Sequence, residues 1–194
     1  MAIGGTKIKS MIIEIVDTPT LPKDFQGDFL IAGYYARNIA RLRPSVNGAG
    51  HKLQTLAPIL TSSHNAFRPV DLNTGPDGAL YVADWFNPII GHYQASLRHP
   101  DRDKKHGRIW RITAKGAPLL KPPALAKMNA AQLCNQLAAP HRRTRQLAGL
   151  RLMDLPKAEA IGATQKWVDA LKPADPALEA KLFQAIGVFE SHEV

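Results

Sequence analysis

The sequence predicts a β half followed by an α half, two domains in one chain of 194 residues. Three observations carry this expectation. Up to residue 115, short runs rich in branched and aromatic residues alternate with Gly, Pro, Asn and Asp turn signals, the grammar of strands. Residues 116–123 form a Pro-rich connector containing Pro118, Pro122 and Pro123. Beyond it, residues 124–194 carry apolar residues at helical spacings, punctuated by prolines.

The strands follow in order. Met11–Val16 is an apolar run already under way near the start of the chain, and Asp28–Tyr35 is introduced by Gln26 and Gly27. Asn38–Arg43 alternates polar and apolar residues, as a half-buried strand does. The turn signal Asn47-Gly-Ala-Gly50 leads into His51–Leu56. Val70–Asn73, the turn Gly75-Pro-Asp-Gly78 and the strand Ala79–Asp84 come next. Arg108–Thr113 closes the β half, with Ile109 and Arg111 on one face and Trp110 and Ile112 on the other. The pairs Asp28–Tyr34/Asn38–Arg43 and Ala79–Asp84/Arg108–Thr113 begin about 50 residues apart, within the range of four-stranded propeller blades. About two blades of a β-propeller are therefore expected; a seven-stranded sandwich also fits the pattern.

Four helices are expected at 125–138, 140–153, 157–171 and 176–189. Pro140, Pro156 and Pro176 stand where first-turn prolines are tolerated, and Asn129 is placed to cap a tighter start of the first helix. Leu178, Leu182, Ala185, Ile186 and Phe189 form one stripe of the last. Two helical hairpins of this kind are the unit of an α-solenoid, and a small bundle is the alternative.

Composition excludes several classes. Lys and Arg number 25 against 16 Asp and Glu, a formal net charge of +9. The excess is spread: residues 1–115 carry 15 basic against 9 acidic side chains, residues 116–194 carry 10 against 7. No basic stripe with motif context exists, so a nucleic-acid partner is not expected, and the His141–Arg145 cluster reads as solvated surface. No apolar run approaches the ~18–20 residues of a membrane span. Cys134 is the only cysteine, which excludes a disulfide scaffold and a c-type haem attachment in this chain. The first ten residues lack the features of a signal peptide, and the chain reads as a piece of a longer protein whose location it does not reveal.

The densest polar stretch, Trp85–Gly107, lies between two expected strands and far exceeds a hairpin loop of two to five residues. In a blade, this insertion emerges on the same face as the link Thr61–Arg68. That places Ser62, His64, Asn65 and Arg68 beside Asp84, Asn87, His92, Arg98, Asp101, Asp103 and His106. Asp84 or His92 is the expected proton acceptor for a substrate hydroxyl. Replacing Asp84 by Asn would abolish turnover while sparing the fold. Trp85, Phe86 and Tyr93 offer flat faces for a sugar or cofactor ring. His92, His99 and His106 recur every seven residues, a spacing that matches no metal motif, and no metal is assigned. As an alternative, Arg98, Asp101, Arg102, Asp103 and Arg108 pair among themselves and only hold the loop together.

Taken together, Phe67–Trp85, Asn87-Pro-Ile-Ile-Gly-His92, Arg98-His-Pro-Asp-Arg-Asp103 and His106-Gly-Arg-Ile-Trp-Arg111 resemble a known family, as does Pro22-x-x-Phe-x-Gly-Asp-Phe-Leu-Ile-Ala-Gly33. These are large bacterial proteins named as membrane-bound dehydrogenases. They join a six-bladed-type propeller similar to glucose and sorbosone dehydrogenases, HEAT-like helical repeats and a c-type haem domain. The resemblance covers roughly residues 12–194. It implies the last propeller blades in residues 1–115 and the first HEAT-like repeats in 124–194, with haem only in the parent. It also implies that the final blade lacks its fourth strand, leaving a sheet edge open to self-association. Oxidation of a sugar or polyol is implied for the parent, in the periplasm or cell envelope. His64, Trp85, Asn87, Tyr93, Arg98, Asp101, Asp103 and His106 would touch the substrate. Arg68 matches a position that contacts pyrroloquinoline quinone; Val70 stands where a second arginine is implied, and Tyr35 or Ala36 where a lysine is. The alternative function is a non-catalytic carbohydrate- or protein-binding module.

Overall fold

A computed structural model describes residues 10–90 and 96–194. The order is β then α: two antiparallel sheets of four and three strands, then four helices. The chain divides into two compact units at Leu119/Leu120.

In the first unit, β1 (Ser10–Ile15), β2 (Phe29–Gly33), β3 (Asn38–Asn47) and β4 (Gly50–Thr61) form a simple meander. β5 (Pro69–Thr74), β6 (Leu80–Asp84) and β7 (Arg108–Ile112) form a second meander. The β3–β4 hairpin is longer than the alternation suggested. Its ladder runs past Pro44 to the Asn47–Gly50 turn, where Gly48 supplies a positive φ of 59°.

Strand alternation sends one face of each sheet into a common core. Leu30, Ala32 and Ile39 from the first meander pack with Leu72, Leu80 and Val82 from the second. Register carries this to β7: Trp110 opposes Val82 and Ile112 opposes Leu80, which leaves Ile109 outward and exposed. Polar groups also bridge the sheets. The Thr74 hydroxyl and N–H both donate to Glu14 Oε1, at 2.7 and 3.2 Å. Thr18 and Thr20 donate to the Gly78 carbonyl. Gly78 has φ 81°, and a Cβ there would lie 2.5 Å from Thr20 Cγ2, so this turn requires glycine.

The other face of the first meander is apolar as well. Ile31, Ala40 and Leu42 form a second cluster with Phe29 and Leu53, while Ile13, Ile15 and Val46 remain exposed. At the far end, Asp28 accepts from Arg41 Nε at 2.5 Å and Arg43 Nε at 2.8 Å. Burial would raise the Asp28 carboxyl, but the two guanidinium groups outweigh it and hold it below the ordinary carboxylate value.

The second unit comprises α1 (Ala130–Gln136), α2 (Arg142–Met153), α3 (Lys157–Asp169) and α4 (Leu178–Ser191). The first helix starts later than its apolar pattern suggested. Residues Leu125–Lys127 form only a 3-10 turn. The α-helix then begins behind Asn129, whose side chain accepts the Gln132 N–H while Gln132 returns the bond. Leu133, Cys134, Leu137, Ala148, Leu152 and Val188 make the core of this unit. In α4 the buried pair is Ala185 and Val188; Ile186, expected in the apolar stripe, is exposed. Val188, three residues after Ala185, turns the buried face away from Ile186. No helix among the described residues is long and apolar enough to cross a membrane.

Candidate functional site

The site is built around the end of β6. Asp84, the last residue of that strand, is 3% exposed. Its Oδ1 accepts the backbone N–H of Arg68 at 2.8 Å and of Phe86 at 2.9 Å. Its Oδ2 accepts Arg108 Nε at 2.8 Å and Trp110 Nε1 at 3.0 Å, with Arg108 Nη2 in ion-pair contact at 2.7 Å. One carboxylate thereby joins the start of β5, the end of β6 and the start of β7. Burial pushes the Asp84 carboxyl up, yet the Arg68, Trp110, Phe86 and Arg108 donors together hold it below the ordinary value. With both oxygens occupied and affinity for a proton reduced, Asp84 organises its neighbours.

The chain then turns sharply. Phe86 has φ 53°, an uncommon conformation for a bulky residue, held by the Asp84 bond. The Arg108 guanidinium lies 4.0 Å from the centre of the Phe86 ring. His64 and His106 also flank this ring, with centroid distances of 5.4 and 6.3 Å. Asn87 is buried and closes the loop, donating to the Asp103 carbonyl at 3.1 Å and accepting the Ile89 N–H at 3.1 Å.

Asp103 and His106 form a dyad. Asp103 Oδ1 accepts the N–H groups of Lys105 and His106 at 2.9 Å each, and Oδ2 meets His106 Nδ1 at 2.7 Å. The backbone donors of Lys105 and His106, then the imidazole, lower the Asp103 carboxyl to about 2. An ionised carboxylate only accepts, so His106 carries a proton on Nδ1, and in the neutral form of the ring Nε2 is the acceptor. His64 has the opposite tautomer. Its Nδ1 accepts the Ala66 N–H at 3.1 Å, which puts the neutral ring's proton on Nε2.

These groups surround an open cavity of about 620 Å³. His64, Arg98, Asp101, Asp103 and His106, all singled out in the sequence, line it. The link before β5 and the loop before β7 thus meet on one face. Asp84 and Asn87 lie outside the lining as buried supports. Trp85 stacks on Tyr34 at 6.1 Å with an interplanar angle of 11°. His92 and Tyr93 lie outside the described residues. The mutual pairing expected of Arg98, Asp101, Arg102, Asp103 and Arg108 takes a different form. Arg108 pairs with Asp84, Asp103 with His106, and Arg102 Nε donates to the Ser96 carbonyl at 2.8 Å. Sequence reasoning missed Lys104 and Lys105 in the lining, because adjacent lysines in a loop carry no distinguishing signal. It also missed the Tyr34–Trp85 stack, whose partners are 51 positions apart.

Arg68 is the other unusual group. It is buried, Nη1 donates to the Phe67 carbonyl at 2.9 Å, and Nε has no partner. Burial and then the nearby Arg37 charge push its pKa down. A buried guanidinium with an unused N–H and a cationic neighbour suits one anionic group. Pyrroloquinoline quinone carries three carboxylates, and β5 offers Val70 where the resemblance implies a second arginine. The donors of this chain therefore do not fit the whole quinone. Cys134, buried in the helical core, lies 3.7 Å from the Thr164 hydroxyl and has no Cys-x-x-Cys-His context for haem. Among the described residues, no three His, Cys, Asp or Glu side chains stand together as metal ligands.

A family model described as a domain of unknown function, DUF7133, matches residues 11–116, more than half of the chain. The chain belongs to the DUF7133 family. No curated protein and no solved structure matches it. The DUF7133 region ends within three residues of the boundary between the two units, so the cavity, Asp84 and Arg68 all belong to the DUF7133 domain and the helices follow it.

Proposed function

We propose that this chain supplies the sugar- or polyol-binding face of a longer dehydrogenase, with the two meanders as the last blades of a propeller like those of glucose and sorbosone dehydrogenases. The helices are the first HEAT-like repeats. One observation carries the reading. The link before β5 and the loop before β7 converge on a cavity of about 620 Å³, the size of a small-ligand site, lined by both donors and acceptors of hydrogen bonds. The apolar outer face of the first meander supports the propeller reading, since a preceding blade would cover it. The unpaired side of β7 suits a missing fourth strand and offers a route to self-association.

In this reading His64 Nε2 donates to a substrate hydroxyl, and His106 Nε2, oriented by Asp103, accepts the hydroxyl proton. Asp84 holds the three strand ends that set these side chains in place. Arg68 holds one anionic group. The electron acceptor, quinone or c-type haem, belongs to the rest of the parent.

A second reading, a non-catalytic carbohydrate- or protein-binding module, is favoured by one feature: Asp84 has both carboxylate oxygens fully occupied. Titrating the chain with glucose and sorbitol, followed by the His64 and His106 ring resonances, tests binding. Dye-linked oxidation by the full-length parent then separates the readings. Saccharide binding with dye reduction supports the dehydrogenase, and binding without reduction supports the module. No response to any saccharide overturns the dehydrogenase and the carbohydrate-binding module, and leaves protein binding as the form of the second reading.

A further inference from the structure

The charges around the cavity do not balance. Among the described residues, Arg98, Lys104 and Lys105 line it with the carboxylates of Asp101 and Asp103. Asp103 is already consumed, accepting two backbone N–H groups and the His106 ring. Asp101 is largely exposed, with its carboxylate 4.0 Å from His99 Nδ1. Among the described residues, no carboxylate lies within ion-pair distance of the Arg98, Lys104 or Lys105 side chains, whereas Arg108 and Arg111 of β7 each have one. Cations left unmatched around a concave site raise the local concentration of anions.

The floor of the same cavity offers a different chemistry. Across Phe86 the two Nδ1 atoms are committed in opposite senses, so His64 presents an Nε2 donor and the neutral form of His106 an Nε2 acceptor. A hydroxyl both donates and accepts, so it satisfies such a pair where a bare anion cannot.

We infer that the cavity selects an anionic carbohydrate, a sugar acid or sugar phosphate of monosaccharide size, with hydroxyls at His64 and His106 and the anionic group at Arg98, Lys104 and Lys105. The inference rests on the saccharide-binding reading and narrows its substrate class. Carboxylate and phosphate share the required chemistry, and the probes below separate them.

The test is calorimetric titration of the full chain with glucose, glucuronate, glucose 6-phosphate and inorganic phosphate at low and high salt. Glucuronate or glucose 6-phosphate binds at least about tenfold more tightly than glucose, and added salt erodes the difference. The better of the two identifies the anionic group. The combined substitutions R98Q, K104Q and K105Q, all on exposed loop positions, abolish the preference for the anionic sugars over glucose. R98Q alone reduces it in part. Equal affinity for glucose and both anionic sugars overturns the inference and spares the saccharide reading. So does inorganic phosphate binding as tightly as glucose 6-phosphate, or a preference that survives the triple substitution. Failure of every sugar to bind overturns the inference and the reading together.

Discussion

The Asp84 carboxylate and the Arg108 guanidinium, 24 residues apart, meet through a hydrogen bond of 2.8 Å and an ion-pair contact of 2.7 Å across the base of the long loop. The Asp84 side chain is fully enclosed, while that of Arg108 is about one-third exposed. The pair closes the loop at its root. Arg108 also covers the Phe86 ring and so fixes the residue between the two cavity histidines. A contact that looks catalytic by position is thereby architectural by geometry.

Asp84→Ala tests this directly. Removing one partner of a buried pair leaves the other charge and several N–H groups uncompensated, a loss of about 3 kcal/mol or more. The expected result is a lower urea midpoint with an unchanged denaturant slope. Asp84→Asn also destabilises, because its amide cannot accept on both sides as the carboxylate does; the sequence alone had suggested that this change would spare the fold. An unaltered midpoint in both variants removes Asp84 from its organising role.

The same bonds predict a pH dependence. The folded Asp84 carboxyl titrates below its ordinary value of 3.8. Its contribution to stability is therefore full above that value and is lost as pH falls through the folded pKa. Asp28 and Asp77, each lowered by arginine partners against an opposing burial effect, add the same sign. Urea midpoints measured from pH 6 down to pH 2 fall in the native chain, with a shallower fall in Asp84→Ala. Parallel curves would contradict the assignment.

Gly78→Ala is expected to weaken the contact between the sheets. The residue sits at φ 81°, and the new Cβ would press on Thr20 and on the Thr18 hydroxyl at 2.8 Å. The cost is about 1–3 kcal/mol from strained backbone, with repacking added to it. The equivalent change at Gly27, which has nothing within 4 Å of an added Cβ, carries only the conformational part. The difference in Tm between the two variants measures the close approach itself.

Asn129→Ala removes the reciprocal Asn129–Gln132 cap from α1. A loss of about 1 kcal/mol is expected, confined to the helical unit. Helical circular dichroism at 222 nm should melt earlier, while the near-ultraviolet signal of Trp85 and Trp110 keeps its midpoint. Trp167, in the helical unit, is replaced by Phe in the background used for that measurement.

Much of this was readable in one dimension. Alternation marked the strands that begin at Asn38 and Arg108, because a strand with one buried face must repeat every two residues, and branched or aromatic runs beside turn signals marked Phe29–Gly33 and Leu80–Asp84. The Pro-rich connector marked the change from sheets to helices, and the unusual length of the stretch after Asp84 pointed to the face that holds the cavity. The grouping of His64 with Arg98, Asp103 and His106 followed from placing the two connections as a propeller blade would, and the cavity lining brings these four together.

Other features depended on partners that sequence spacing does not reveal. That Asp84 is saturated, that Arg68 lacks a partner on Nε, and that Arg108 chooses Asp84 over the loop carboxylates are outcomes of burial and competition among donors. The two histidines look alike in the chain. They become opposites only because one Nδ1 meets a backbone N–H and the other a carboxylate. Periodicity reports which face of an element is buried, since that is set by local geometry. Which atoms are then left free for a ligand depends on every neighbour brought near by folding, and that is settled only in three dimensions.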